Sequence, residues 1–169
     1  MRFRLRTLLT LLAAAAAVAG AGRHCYDVQV MPSRRDAAWL ASPELRGVTG
    51  RWSGAPNAGW SWRRRIQLVW LEEVEDFERA SERLGELTAV EEVQVLGRQI
   101  MPHSVAFQRD GRDPVIEALR RHSTLQRLLV DASVRGAPLG DQVELFDRDD
   151  LATLQAALPN LEVVWMEVH

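Results

Sequence analysis

The chain has 169 residues, of which 47% are hydrophobic and 26% are charged, and this balance predicts one compact domain and argues against disorder over most of the length. The net charge of −2 argues against a generic nucleic-acid-binding protein, which normally carries a basic face.

A targeting segment is predicted at residues 1–22. Arg2, Arg4 and Arg6 precede an uncharged stretch at 7–22, and a basic start followed by a short apolar stretch and small residues is typical of a secretory signal peptide. A retained membrane anchor needs about 20 apolar residues, and the alanines here add little hydrophobicity. The sequence therefore favours cleavage slightly over an anchor. With either outcome we expect the body outside the cytoplasm, secreted, periplasmic or held at the membrane.

Cys25 is the only cysteine, so no disulfide forms within the chain. Arg23 and His24 stand where a lipid-modified cysteine needs small or aliphatic residues, which argues against lipidation. His24 beside Cys25 could begin a metal site, but no second pair follows at ligand spacing. We therefore predict no metal ion and no cofactor.

Residues 23–63 are rich in proline, glycine and tryptophan, and we expect an irregular linker and cap there with one short helix near 35–39. Trp52, Trp60 and Trp62 alternate with arginines, as in a stacking platform for single-stranded nucleic acid or carbohydrate. The favoured interpretation is structural: these tryptophans cover an open end of the core.

Four later segments share the pattern apolar-x-x-apolar-x-apolar, whose last three positions alternate like a strand with one buried face. The apolar positions are Ile66, Val69 and Leu71; Val90, Val93 and Val95; Leu125, Leu128 and Val130; and Leu161, Val164 and Met166.

Segments with apolar residues at helical spacing precede each of the last three strands. The second helix has the clearest start, because Asp113 is a candidate N-cap and Pro114 occupies the first helical position. The acidic clusters at 72–78 and 147–150 fall at the other two starts, where exposed N–H groups favour negative charge. Strands joined through helices are expected to lie parallel.

On these units the region 64–169 resembles the leucine-rich-repeat family, in particular divergent bacterial members that follow an export or anchor segment. The resemblance implies an α/β fold: a short parallel-sheet solenoid of strand-helix units, capped by the irregular N-terminal segment. Two departures from the family are predicted insertions after strands, at 97–113 and 132–148. The asparagine ladder of the family is also missing.

The leading functional hypothesis is a non-enzymatic interaction module, exported or membrane-tethered, whose partner is a protein. The alternatives are a self-associating structural protein of the cell envelope and an enzyme with its site at the carboxyl ends of the strands. For the enzyme, the candidate residues are Asp131, Ser133, His103, Ser104 and Asp141. Nothing in their spacing matches a nucleophile elbow, a phosphate loop or a metal-ligand set.

Overall fold

The chain forms an α/β fold around a five-stranded, mostly parallel sheet. The computed structural model describes residues 5–53, 64–71, 76–131 and 148–166. The strands are β1 (Thr49–Trp52), β2 (Ile66–Trp70), β3 (Glu92–Leu96), β4 (Arg127–Asp131) and β5 (Glu162–Met166), and they lie side by side in chain order. Strands β2 to β5 are parallel, and β1 pairs with β2 in the antiparallel sense.

Six α-helices are described. They are α1 (Leu5–Cys25), α2 (Met31–Leu40), α3 (Phe77–Arg83), α4 (Gly97–Asp110), α5 (Pro114–Arg121) and α6 (Arg148–Ala157). A π-helical turn at Tyr26–Val30 joins α1 to α2, and short 3-10 turns follow α2 at Pro43–Leu45 and α3 at Leu84–Glu86.

One face of the sheet carries the core. Val93, Val95, Leu128 and Val130 belong to a single apolar cluster with buried side chains of α2, α3, α4, α5 and α6. The helices therefore pack on this face, which we call the covered face. Residues that alternate with these along β3 and β4 point the other way and form the open face.

Three of the four predicted strands have the predicted buried face. Val69, Val93 and Leu128 stand next to one another in the parallel register and are fully buried. Each is the second apolar position of its six-residue segment, so the alternation located these strands correctly.

The alignment of the fourth segment is wrong by one residue. Leu128 is level with Val163, so Val163 and Trp165 pack against the core, whereas Val164 and Met166 lie on the open face. Because side chains alternate along a strand, a shift of one residue exchanges its two faces. Residues 163–166 are all apolar, so a pattern based on hydrophobicity did not reveal this shift.

The prediction of irregular structure at 23–63 is wrong where the chain forms a helix and a strand. Helix continues from α1 through the π turn to Leu40, and β1 follows. Pro32 suggested a break, since proline cannot donate the usual helical hydrogen bond. The chain instead widens before it: the N–H of Met31 donates to the carbonyl of Tyr26, five residues earlier, and the helix continues.

Most of the predicted insertion at 97–113 forms α4. Ile100 and Ser104 are buried on one side of this helix, and Phe107 packs against the core from one turn later. The crossover from β3 to β4 thus contains two helices. Of the second predicted insertion, residues 132–147 lie outside the described residues.

The predicted start of α5 is confirmed. The carboxylate of Asp113 accepts hydrogen bonds from the N–H groups of Val115 and Ile116 at 3.0 and 3.1 Å, and Pro114 begins the helix. Asp76 caps α3 in the same way through the N–H of Arg79.

Candidate functional site

A buried carboxylate fixes the N-terminal helix to the sheet. Asp36 of α2 is fully buried, and its Oδ2 accepts hydrogen bonds from the backbone N–H of Ile66 at 3.1 Å and from Nε of Arg65 at 2.9 Å. The same guanidinium donates to Thr88 Oγ1 at 2.7 Å. A charge-assisted contact that is largely removed from water is stronger than a surface ion pair. We call this contact the Asp36 clamp.

Trp39 makes a second attachment one turn later. Its indole is buried, and Nε1 donates to the backbone carbonyl of Arg83 at 3.0 Å. Arg83 also donates to Ser42 Oγ at 2.9 Å and forms ion pairs with Glu44 and Glu86. The hydrogen bond from Arg83 lowers the pKa of the Glu86 carboxyl group. Helix α2 is thus held at both the start of β2 and the end of α3.

These contacts also show where the end of α2 lies. Asp36 accepts its backbone hydrogen bond from Ile66 at the start of β2. Leu40, one turn on, lies 3.5 Å from the point where a Cβ on Gly50 would stand, and Cγ2 of Ile66 lies 3.2 Å from the same point. The end of α2 therefore lies against the start of β2.

The helix that precedes the clamp is apolar and exposed. The helix at Thr7–Leu40 is long and apolar enough to cross a membrane, and its apolar part is not buried against the rest of the chain. The side chains of Leu9, Leu12 and Val18 are between 57% and 72% exposed. Length and composition fit both a signal sequence and a membrane anchor.

A charged row crosses the open face where the parallel strands begin. Arg51, Glu92, Arg127 and Glu162 occupy β1, β3, β4 and β5 at one level of the register, and Leu68 lies between the first two. Nη2 of Arg51 is 3.8 Å from Oε2 of Glu92, and Arg127 forms an ion pair with the same carboxylate.

The next row of the open face is largely apolar. Trp70, Gln94, Leu129 and Val164 are neighbours in the register, and all four are half-buried. Nε1 of Trp70 donates to Oε1 of Gln94 at 2.8 Å, which holds the indole against the sheet. One aromatic and two aliphatic side chains thus belong to this row, with Gln94 between Trp70 and Leu129.

The described enzyme candidates His103 and Asp131 do not converge. Asp131 is buried on the open face, level with Leu96 and Met166. His103 belongs to α4 in the helix layer, where Nδ1 is 3.0 Å from Oδ2 of Asp113 and the ring packs against Phe77. His103 and Asp131 therefore lie on opposite sides of the sheet.

Of the remaining enzyme candidates, only Ser104 lies among the described residues. Ser104 is buried, and its hydroxyl has no hydrogen-bond partner among the described residues. Ser133 and Asp141 lie outside the described residues. Where the structure describes the chain, no three His, Cys, Asp or Glu side chains group as metal ligands. Cys25 is exposed, and its thiol donates to Oε1 of Gln29.

A groove of about 470 Å³ opens in the helix layer between α5 and the turn after α3. His122 in its lining is mostly buried, and Nε2 lies 3.1 Å from the carbonyl of Leu84, to which it donates. Burial lowers the pKa of His122. Glu117 and Arg121, also in the lining, form an ion pair one helical turn apart.

Of the tryptophans predicted to cover the core, Trp52 packs against it from β1, and Trp60 and Trp62 lie outside the described residues. Sequence reasoning missed Asp36 entirely. A single carboxylate on a short helix has no signal of its own, because the residues that bind it, Arg65 and Ile66, are about 30 positions away.

The chain matches no model of a known protein family and no curated protein.

Proposed function

We propose that the protein is a membrane-tethered interaction module, in which the N-terminal helix is a retained anchor and the open face of the sheet binds a protein partner outside the cytoplasm. The observation that carries this proposal is the unbroken helix from Leu5 to Leu40, apolar and exposed at one end and clamped into the domain at the other.

The continuity of the helix is the support for a retained anchor. The apolar stretch runs without a break into the helix that supplies Asp36 and Trp39, which are among the most buried side chains of the domain. Both residues lie beyond the predicted cleavage region and stay with the domain in either case. The basic residues Arg2, Arg4 and Arg6 support an orientation with the start of the chain inside and the body outside.

The leucine-rich-repeat relationship stays a proposal. Its support is the sheet order, since each parallel strand lies next to the one before it, with the helices packed on the covered face. Stacked strand-helix units commonly present a continuous sheet face to protein partners. This analogy supports binding as the function of the open face but does not name what is bound.

Fractionation tests the tether. The full chain is expressed in a bacterial host, and washed membranes and soluble fractions are analysed by intact mass. We expect the full-length mass in the membrane fraction, with the body digested by protease added to spheroplasts. A soluble product that lacks about the first 19 to 21 residues would overturn the tether.

The Asp36 clamp is tested by Asp36→Ala in the full chain in detergent. Removing one partner of a buried charged pair costs about 3 kcal/mol or more, so we expect a large loss in the free energy of unfolding and faster proteolysis between α1 and β1. Glu44→Ala is the matched control, since the exposed pairs of Glu44 with Arg79 and Arg83 contribute less than about 1 kcal/mol. Equal effects of the two substitutions would contradict the clamp.

A further inference from the structure

The two edges of the sheet differ in the features that oppose pairing with another strand. An edge strand presents a row of backbone N–H and C=O groups, and natural proteins protect it with short strands, charged side chains or bulges. The β1 edge has all three features, because β1 has four residues, an exposed Arg51 and a shift in register between Arg51 and Trp52. Strand β1 is therefore a poor template for a further strand.

Strand β5 lies at the other edge and lacks these features. Residues 163–166 are all apolar, and the one charged residue of β5 is Glu162 at its start. The five residues of β5 pair with β4 without a shift in register. Among the described residues, no strand pairs with the outer side of β5. An apolar edge strand of this kind favours pairing with another chain.

The hydrogen bonds of β5 show which backbone groups face the outer edge. The N–H of Glu162 donates to the carbonyl of Gln126 at 2.9 Å, on the side of β4. Successive N–H groups along a strand point in opposite directions, and so do the N–H and C=O of one peptide group. The carbonyl of Leu161 and the N–H of Val163 therefore point away from β4, to the side where a further strand would be added.

Both of these groups are bonded to the side chain of Gln155 in α6. Nε2 of Gln155 donates to the carbonyl of Leu161 at 2.8 Å, and Oε1 accepts from the N–H of Val163 at 3.1 Å. Nε2 also donates to the carbonyl of Leu158 at 3.2 Å. A residue of a neighbouring strand offers the same combination of one donor and one acceptor. The amide of Gln155 thus takes the place of such a residue at the start of β5.

We propose that the amide of Gln155 blocks the pairing of β5 with β5 of a second copy of the chain. Two identical edges related by a two-fold axis pair antiparallel, and each presents the same apolar side chains to the other. A ladder along the whole of β5 needs the N–H of Val163 in both copies, and Gln155 occupies that group in both. The block is independent of the membrane tether, because Gln155 and β5 belong to the domain whether or not the leader is retained.

The same hydrogen bonds also join the end of α6 to the start of β5, so their loss lowers stability as well. A role in stability alone predicts that the chain without the amide is less stable but still monomeric. A block at the edge predicts that the folded chain associates through β5. The two roles therefore separate on the size of the folded variant.

Sedimentation of two Gln155 variants over a range of concentrations tests the block, with each chain in the form that the host produces and in detergent where it is membrane-bound. Gln155→Leu removes both hydrogen-bonding atoms, whereas Gln155→Glu keeps an acceptor for the N–H of Val163 and adds a charge at the edge. We expect dimers or larger species from Gln155→Leu as its concentration rises. The unsubstituted chain and Gln155→Glu should stay single.

Amide hydrogen exchange at Val163 gives a readout that general aggregation would not reproduce. In dilute Gln155→Leu this N–H should exchange about tenfold faster than in the unsubstituted chain, because its hydrogen bond is lost, and it should slow again as the chains associate. Gln108→Leu is the matched control, since Gln108 of α4 donates to the carbonyl of Thr153 at 3.4 Å, away from β5. It should change neither the exchange nor the size.

Two further variants keep the test decisive. Gln155→Asn has a shorter amide that cannot reach both backbone groups, so it should also associate, and it replaces Gln155→Leu if that variant does not fold. Val164→Lys, combined with either substitution, brings like charges together between paired β5 strands and should restore the single chain. Folded Gln155 variants that stay single at every concentration would overturn the block, and so would association that Val164→Lys does not reverse.

Discussion

The two faces of the sheet both carry apolar side chains but differ in how deeply those side chains are buried. On the covered face, Val93 and Leu128 are completely buried among helices. On the open face, Leu129 and Val164 are only half-buried and stand beside a row of charges. Hydrophobicity alone does not assign a residue to the core, because alternation along the strand and register with the neighbouring strand decide which face it joins.

The largest expected effect is a difference in stability between alanine substitutions at two adjacent leucines. Leu128→Ala should lower the free energy of unfolding by about 3 kcal/mol, because it leaves a cavity in a packed core. Leu129→Ala should cost less than about 1 kcal/mol, since its side chain is already partly in solvent. Urea titration of the full chain in dilute detergent, followed by tryptophan fluorescence, measures both. Equal losses would mean that the open face is as tightly covered as the helix side.

A smaller effect tests the corrected alignment of β5. Val163→Ala should destabilise the chain by about 1 kcal/mol more than Val164→Ala, because Val163 packs against the core and Val164 does not. The same titration gives the difference. A larger loss at Val164 would restore the alignment expected from the sequence pattern and reverse the two faces at this edge.

The smallest expected effect concerns a titratable group of the helix layer. Burial lowers the pKa of His122 below its ordinary value of 6.5, so the unfolded chain binds more protons than the folded chain at mildly acidic pH. Stability contributed by neutral His122 is fully present above pH 6.5 and is lost as the pH falls towards its lowered pKa. Unfolding titrations from pH 7.5 to 5 should show this loss, and His122→Gln should reduce it.

The strands and the start of α5 were predictable because their signals are local. Alternating apolar residues mark β2, β3 and β4, and Asp113 followed by Pro114 marks the first turn of α5. The carboxylate of Asp113 performs the expected capping.

The full length of α2 and the whole of α4 were not predicted from the sequence. Each helix contains a proline, and the contacts that hold α2 come from distant parts of the chain. Pro102 lies inside α4, where a proline removes one helical hydrogen bond, and Pro32 lies in the first turn of α2. The spacing of Ile100, Ser104 and Phe107 was the signal that could have revealed α4. For α2 the compensating π turn and the Asp36 clamp exist only in the folded chain, so no local pattern revealed them.

The unbroken helix also fixes the rotation of the sheet about the axis of that helix. Each residue of a helix turns the chain by about 100° and advances it by about 1.5 Å, so the π turn at Tyr26–Val30 determines which way the clamped sheet faces around this axis. Asp36 fixes one end of the helix to the domain, and the apolar stretch forms the other end. The number of residues between them therefore sets the direction in which the open face points relative to the apolar stretch.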